Sequence, residues 1–291
     1  MSNIFLSIVI ITYNSERFIR SCLKSIYSQD YQGSELIIVD NGSSDNTVAI
    51  IKENYPQVVL IENKQNLGAC KGRNQGIEIA KAGWILTLDC DTILREDFFY
   101  NAKEFLNKPF SSKIGMIQPK IFNIDKKTVY SCGISLSGLR RFYDIGKNQP
   151  DDGRFNDYKY IFGACTAAAL YRRQMLEEIK EDTGYFDERF FFLVEDVDLS
   201  WRAQKKGWRT LYCPEIVCYH KGNSSGFDKK FRQYLCFCNR FYSIMKNEGL
   251  LRYCIRIFPL LCYDLPRLAY LLLTNKYLFR NIFKRILANQ R

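Results

Sequence analysis

Asp89 and Asp91 close the apolar run Trp84-Ile85-Leu86-Thr87-Leu88, with Cys90 between them. Side chains alternate faces along a strand, so residues i and i+2 point the same way. Both carboxylates are expected to aim beyond the strand's carboxyl end. Two such charges repel unless a cation or donor groups offset them. A divalent metal carrying a diphosphate would do so. Taken alone, the pair also reads as an ordinary turn, because Asp is common where strands end. A second acidic group, Glu195-Asp196-Val197-Asp198, stands at the expected start of a helix, where the dipole favours ionised carboxylates. His220 is the single histidine of the chain.

The elements that must position these residues follow from periodicity. Ser7–Thr12 is a continuous apolar strand, and Ser15 stands where it can cap the next helix. Phe18, Ile19, Cys22, Leu23, Ile26 and Tyr27 form one face of that helix. Glu35–Val39 and Val58–Ile61 read as strands, separated by a turn at Asn41-Gly42-Ser43-Ser44 and a short helix. A helix from about Ala69 to Lys81 precedes the strand that ends in the paired aspartates. Such alternation implies a parallel sheet with right-handed crossovers. Ligands of these sheets bind outside the strands' carboxyl ends. Thr12-Tyr13-Asn14, Asp40 and Asp89-Cys90-Asp91 would share that rim.

Beyond it, Lys113–Phe122 and Val129–Leu136 read as strands and Leu139–Tyr158 as a mobile loop. Arg173–Glu181 reads as a short helix and Arg209–Cys213 as a final core strand. Most rings of Tyr185–Phe192 are expected in the core.

Composition narrows the class. The 291 residues are 47% hydrophobic and 25% charged, enough for a sizeable core. Of the net charge of +11, residues 228–291 carry +10, from 13 Lys or Arg against 3 Asp or Glu. That asymmetry suggests an anionic lipid surface or nucleic acid as partner. Eleven cysteines without any C-x-x-C argue against a disulfide framework or a zinc ribbon, and free thiols imply a reducing, cytoplasmic compartment. Ile4–Ile11 lacks a basic n-region and a cleavage site, so it is not read as a signal peptide. The longest apolar stretch, Ile257–Leu273, is broken by Asp264, Pro266 and Arg267, so a spanning helix is not expected.

Together, Val9–Asn14, Val39–Asp45, Asn66-Leu67-Gly68 with Arg73-Asn74, Leu88–Asp91, Glu195–Leu199 and His220 resemble the motifs of inverting glycosyltransferases of family 2. The resemblance runs through about the first 225 residues, in order and spacing. In particular the chain resembles bacterial rhamnosyltransferase-like members that build surface polysaccharides.

The resemblance implies a GT-A fold: a Rossmann-like α/β unit with a mostly parallel sheet flanked by helices. It implies a catalytic domain over 1–227, with a nucleotide-sugar half of about 1–91 and an acceptor half of about 92–227. A nucleotide-diphosphate sugar, of the UDP or dTDP type, would be the donor. Thr12, Tyr13, Asn14 and Asp40 would hold base and ribose. Asn66, Gly68 and Arg73 would line the donor site, although Arg73 reads equally as a solvated helix residue. Asp89 would serve the ribose or a metal-bound water. Asp91 and His220 would bind Mn²⁺ or Mg²⁺. Asp196 would be the catalytic base and Glu195 would position the acceptor. Cys90 departs from the D-x-D pattern only in its middle residue, whose side chain faces away.

Residues 228–291 read as a basic amphipathic extension. Lys276, Arg280 and Lys284 fall on one helical face, with Leu278, Phe279, Ile282 and Phe283 beside it. This suits an anionic membrane interface on the inner side of the cell membrane, and a lipid-linked glycan as acceptor. An ordinary helical cap is the plainer reading. A metal-dependent nucleotidyltransferase and a non-catalytic membrane or nucleic-acid binder remain alternatives. The first would need a Gly-rich, Lys-bearing phosphate loop, which Thr12–Ser15 is not.

Overall fold

The computed structural model describes residues 4–109, 112–222, 226–255, 257–275 and 277. The chain opens with β1 (Leu6–Thr12), α1 (Glu16–Tyr27), β2 (Ser34–Asp40), α2 (Thr47–Asn54), β3 (Val59–Glu62), α3 (Ala69–Ile79) and β4 (Trp84–Asp89). There follow β5 (Thr92–Leu94), α4 (Phe98–Asn107), β6 (Ile114–Asn123), β7 (Val129–Ser131), β8 (Ile134–Leu136), β9 (Phe142–Asp144), β10 (Lys159–Ile161) and β11 (Ala168–Arg172). The remainder comprises α5 (Arg173–Ile179), α6 (Glu195–Lys205), β12 (Arg209–His220), α7 (Lys229–Glu248), α8 (Leu250–Ile255) and α9 (Ile257–Thr274).

One sheet runs in the order β10-β12-β6-β11-β4-β1-β2-β3. Its first half is parallel, as the βαβ pattern requires: β1 pairs with both β2 and β4, and β2 with β3. Beyond β4 the sheet is mixed, because β11 runs antiparallel to β4 and β6 while β12 runs parallel to β6. The register sets Thr12 opposite Asp40 and Ile11 opposite Asp89, so the expected rim exists.

Strand alternation divides the core into two layers. Leu6, Ile8, Ile10, Leu86 and Leu88 pack toward α1 and α4. Val9, Ile37, Val39 and Ile85 pack toward α3, α5 and α6. Asp89, two residues beyond Thr87 and four beyond Ile85, therefore leaves the sheet on the α3–α6 side.

Several expectations need correction. Ser15 does not cap α1; its hydroxyl closes a turn with Tyr13, and the α1 N-terminus is met by Asp45, which accepts from the Glu16 N–H. The single strand expected over 129–136 breaks at Gly133, whose φ of +102° turns the chain out of β7 into β8. Leu139–Tyr158 contains β9, paired with β8, so it is more ordered than a plain loop. The last core strand runs to His220 rather than Cys213, because a bulge between Cys213 and Val217 lets it keep pairing with β6. The helices α3 and α5 stop at Ile79 and Ile179, two residues before the expected ends. The basic stripe Lys276-Arg280-Lys284 lies outside the described residues, as do Leu278, Phe279, Ile282 and Phe283.

Candidate active site

At the rim, Asp89 is the last residue of β4 and its side chain is one-third exposed. Its Oδ1 accepts from Arg73 Nη2 at 2.9 Å, and Arg73 Nη1 donates to Glu195 Oε1 at 2.7 Å. Arg73 thus joins α3 to β4 and to the start of α6. It is buried, not solvated. Burial works against the guanidinium charge, but the two carboxylates outweigh it and raise its pKa.

The chain turns at Cys90 and Asp91 and returns as β5, whose Thr92 pairs with His220 of β12. That pairing brings Asp91 and His220 together over 129 residues of sequence, with His220 Nε2 2.9 Å from Asp91 Oδ1. Asp89 Oδ2 lies 3.7 Å from the same nitrogen. One donor atom from each of Asp89, Asp91 and His220 falls within 4.8 Å of the others. Tyr130 packs edge-on against the imidazole, with ring centroids 4.3 Å apart. Two carboxylates and one imidazole are a donor set that divalent first-row cations accept. His220 and Asp91 are buried while Asp89 opens to the cavity, which leaves the exposed side for a ligand's own oxygens. The residues fit a metal centre. Cys90 packs in the core layer of α1, and its thiol donates to Ser15 Oγ at 3.1 Å.

The residues expected to hold a nucleotide behave unevenly. Thr12, Tyr13, Asn66 and Gly68 line a cavity of about 380 Å³, together with Asn41, Arg73, Asp89, Glu195 and Asp196. Asp40 is buried beneath this surface. It accepts from Thr12 Oγ1 at 2.7 Å, from Ser43 Oγ at 2.5 Å and from the Ser43 N–H at 2.8 Å. Asn14, at φ 49°, accepts from the Ser44 N–H at 2.8 Å and ties the β1 and β2 loops together. Asn66 Oδ1 accepts from the Gly68 N–H.

Opposite them stand Glu195 and Asp196, delivered by a strained turn. Phe191 takes φ 65° and ψ −63°, closing a γ-turn in which the Phe192 N–H donates to Phe190 O at 2.8 Å. Leu193 and Val194 follow at φ 68° and 75°. Non-glycine residues there cost on the order of 1–3 kcal/mol each. Gly68 permits the approach of this turn, since a Cβ there would lie 2.5 Å from the Phe191 ring and 2.7 Å from its carbonyl. Of the aromatic segment, Tyr185, Phe186 and Phe190 are core, whereas Phe191 and Phe192 wall the cavity.

The expectation that the helix start keeps Asp196 ionised needs correction. Burial, then the charges of Glu195 and Asp144, raise its pKa from 3.8 to about 8. The Val197 N–H, which donates to Asp196 Oδ1 at 2.9 Å, and the more distant Arg73 offset only part of this. The result is a carboxylate with a high proton affinity, suited to accepting a proton near neutral pH.

Sequence reasoning missed Asp144, which lines the cavity from β9, and Tyr130, which walls it beside His220. It also missed Asn239 of α7, whose amide reaches three carbonyls of the strained turn. Asp144 lay in an apparent loop, and Asn239 carries no motif. A polar amide between apolar residues on the buried face of α7 is the signal that could have marked it.

The model of the family described as "Glycosyl transferase family 2" matches residues 7–180, a span that ends before Glu195. The poly-beta-1,6-N-acetyl-D-glucosamine synthase of Staphylococcus aureus (strain COL) is 28% identical over 213 residues, covering 71% of this chain and 47% of the relative. The chain thus spans about half the length of the curated relatives it matches. Among solved structures, a mannosyltransferase from Pyrobaculum calidifontis in complex with GDP-Man and Mn²⁺ superposes with a TM-score of 0.58 at 18% identity, covering 84% of this chain and 65% of that one. S. aureus TarS in complex with UDP-GlcNAc gives a TM-score of 0.56 at 19% identity, covering 84% of this chain and 67% of that one. These likenesses establish the shared fold.

Proposed function

The chain belongs to glycosyl transferase family 2, and we propose that it moves a sugar from a nucleotide-diphosphate sugar to an acceptor hydroxyl with inversion. The observation that carries this reading is the meeting, in one cavity rim, of the Asp89–Asp91–His220 donor set with the Arg73–Glu195 pair and Asp196. A divalent cation held by Asp91, His220 and Asp89 would offset the charge that develops on the departing diphosphate. Imidazole among the ligands favours Mn²⁺ over Mg²⁺.

Thr12, Tyr13, Asn41, Asn66 and Gly68 hold the nucleoside end. Asp40 works from below by fixing the Thr12 hydroxyl, and Asn14 by fixing the adjoining loop. Glu195, held by Arg73, orients the acceptor. Asp196 takes the proton of the attacking hydroxyl as the new C–O bond forms and the bond from the anomeric carbon to the diphosphate oxygen breaks. The nucleoside diphosphate leaves with that electron pair. One base suffices for such a displacement, unlike the paired carboxylates of glycoside hydrolysis.

The relatives named above direct the first donor probes to UDP-GlcNAc and GDP-mannose, with dTDP sugars beside them. The test is thermal shift across this panel, with and without MnCl₂, since a ligand that binds the native state stabilises it. Stabilisation by a nucleotide sugar that requires Mn²⁺ supports the reading. Absence of any metal-dependent shift contradicts it.

The acceptor side adds a surface. No helix among the described residues is long and apolar enough to cross a membrane. Even so, Leu251, Ile255, Phe258 and Leu273 of α8 and α9 are 74–88% exposed. Asp264, the acid of α9, is buried against Arg240 at 2.5 Å, so it adds no exposed negative charge. Apolar side chains beside a cationic C-terminal region suit the headgroup boundary of an anionic membrane, where a lipid-linked glycan acceptor would lie. Co-sedimentation with phosphatidylglycerol vesicles but not with phosphatidylcholine vesicles is the expected result; equal recovery with both removes the anionic surface from the account.

A further inference from the structure

The turn that delivers Glu195 and Asp196 is not held by its own local bonds alone. Phe190 O, Phe192 O and Leu193 O converge on one point, at 3.0, 3.0 and 2.7 Å from Nδ2 of Asn239. Three carbonyl dipoles directed at one place repel each other unless a donor stands between them. Asn239 is fully buried, in the middle of α7. The same short segment holds the positive φ of Phe191, Leu193 and Val194, and Val194 is β-branched, for which that region is a genuine outlier. Asp196 begins two residues later.

The helix α7 is itself locked to α6. Lys246 Nζ lies 2.9 Å from Asp198 Oδ2, and Asn247 Nδ2 donates to Asp198 Oδ1 at 2.8 Å. Asn239 therefore stands on a fixed helix and reaches a turn that would otherwise relax.

We propose that Asn239 is a positioning residue: its amide holds the strained 190–193 turn and thereby sets the place of the Asp196 carboxylate in the cavity. The proposal rests on the reading of Asp196 as the base. It assigns a role in transfer to α7, an element beyond the span matched by the family model. With the amide gone, the carbonyls repel, the backbone relaxes toward negative φ, and the peptide leading into α6 rotates. Asp196 moves with it, while the nucleotide end, built on β1, β2 and α3, stays in place.

The experiment uses the full chain, Mn²⁺, and the nucleotide sugar that gives the largest Mn²⁺-dependent melting shift. It follows release of nucleoside diphosphate, with water as the acceptor that attacks the anomeric carbon and gives up its proton. Asn239→Ala is expected to lower kcat at least about tenfold, the scale of a sub-ångström misplacement of a reacting group. Its donor affinity stays within about twofold, the signature of an interaction felt in the transition state alone. Phe237→Leu serves as the control for helix stability, because Phe237 packs on Phe241, toward α8. It is expected to lower the melting temperature and keep kcat. Should Asn239→Ala not fold, Asn239→Gln replaces it. That variant keeps the amide but displaces it by one methylene, and the same kcat loss is expected.

Unchanged kcat in the Asn239 variants, with Asp196→Asn inactive, overturns the positioning role and leaves the proposed function standing. Equal kcat losses in Asn239→Ala and Phe237→Leu also overturn it, since both would then act through stability. Full turnover by Asp196→Asn overturns the reading of the base and this proposal with it.

Discussion

Arg73 Nη1 donates to Glu195 Oε1 at 2.7 Å, and both side chains are only 5% exposed. The pair links α3 to the first residue of α6. Removing one partner leaves a buried charge uncompensated. Arg73→Met is therefore expected to lose about 3–5 kcal/mol of stability. Arg73→Lys, which cannot fork between Asp89 and Glu195, is expected to fall between the two. Urea denaturation of the three proteins checks the order; a methionine variant as stable as the parent would show that the pair carries no structural weight.

The raised pKa of Asp196 links stability to pH. Burial and the neighbouring carboxylates push its pKa in the folded protein up to about 8, whereas in the unfolded chain it returns to the ordinary Asp value of 3.8. Between those values the folded state binds more protons, so this group's contribution to stability declines as pH rises through the window. Asp196→Asn removes that dependence. Its melting temperature is expected to exceed the parent's by at least about 2 °C at pH 8.5, the shift for roughly 1 kcal/mol in a domain of this size. At pH 4 the two should nearly coincide. Differential scanning calorimetry across pH reads the difference, and a constant gap would mean that Asp196 is not the titrating group.

On the proposed reading of Asp196 as the base, the same group sets the activity profile. A base must be ionised, so turnover should rise with pH and level off above about 8, the value to which burial and the neighbouring carboxylates push Asp196. Asp144→Asn removes one of the charges that raise it. The midpoint of the rise is then expected to move to lower pH. A midpoint that does not move would separate Asp144 from Asp196.

For the metal centre, His220→Asn and Asp91→Asn are expected to weaken Mn²⁺ binding at least about 100-fold, beyond the 10–100-fold typical of losing an outer partner. Titration followed by the electron paramagnetic resonance of free Mn²⁺ measures this directly. Asp89→Asn should have the smaller effect, since Asp89 also serves Arg73. Equal Mn²⁺ affinity in all three variants and the parent would place the cation elsewhere.

Much of this was legible in the sequence. The strand ends at Thr12, Asp40 and Asp89 could be found because apolar runs stop at them, and the register confirms a single rim. Asp89 and Asp91 could be paired from spacing. The fate of Arg73 could not, because a helix residue is solvated or buried according to what packs on it, and α6 arrives 122 residues later. The ionisation of Asp196 was misjudged for a related reason: the helix dipole is a local property, whereas burial and the Asp144 charge come from the tertiary fold. Asn239 and the positive φ of Val194 were invisible, since neither residue type signals the conformation it supports.

The central claim is that Asp196 removes the acceptor proton and does not hold the donor. Its most direct test is Asp196→Asn, measured twice: donor affinity by calorimetry with Mn²⁺ present, and nucleoside diphosphate release under saturating donor with water as the acceptor. The account predicts an affinity within about twofold of the parent and a turnover lower by about 10²–10⁴-fold, the usual contribution of a general base. Parental turnover by Asp196→Asn would contradict it.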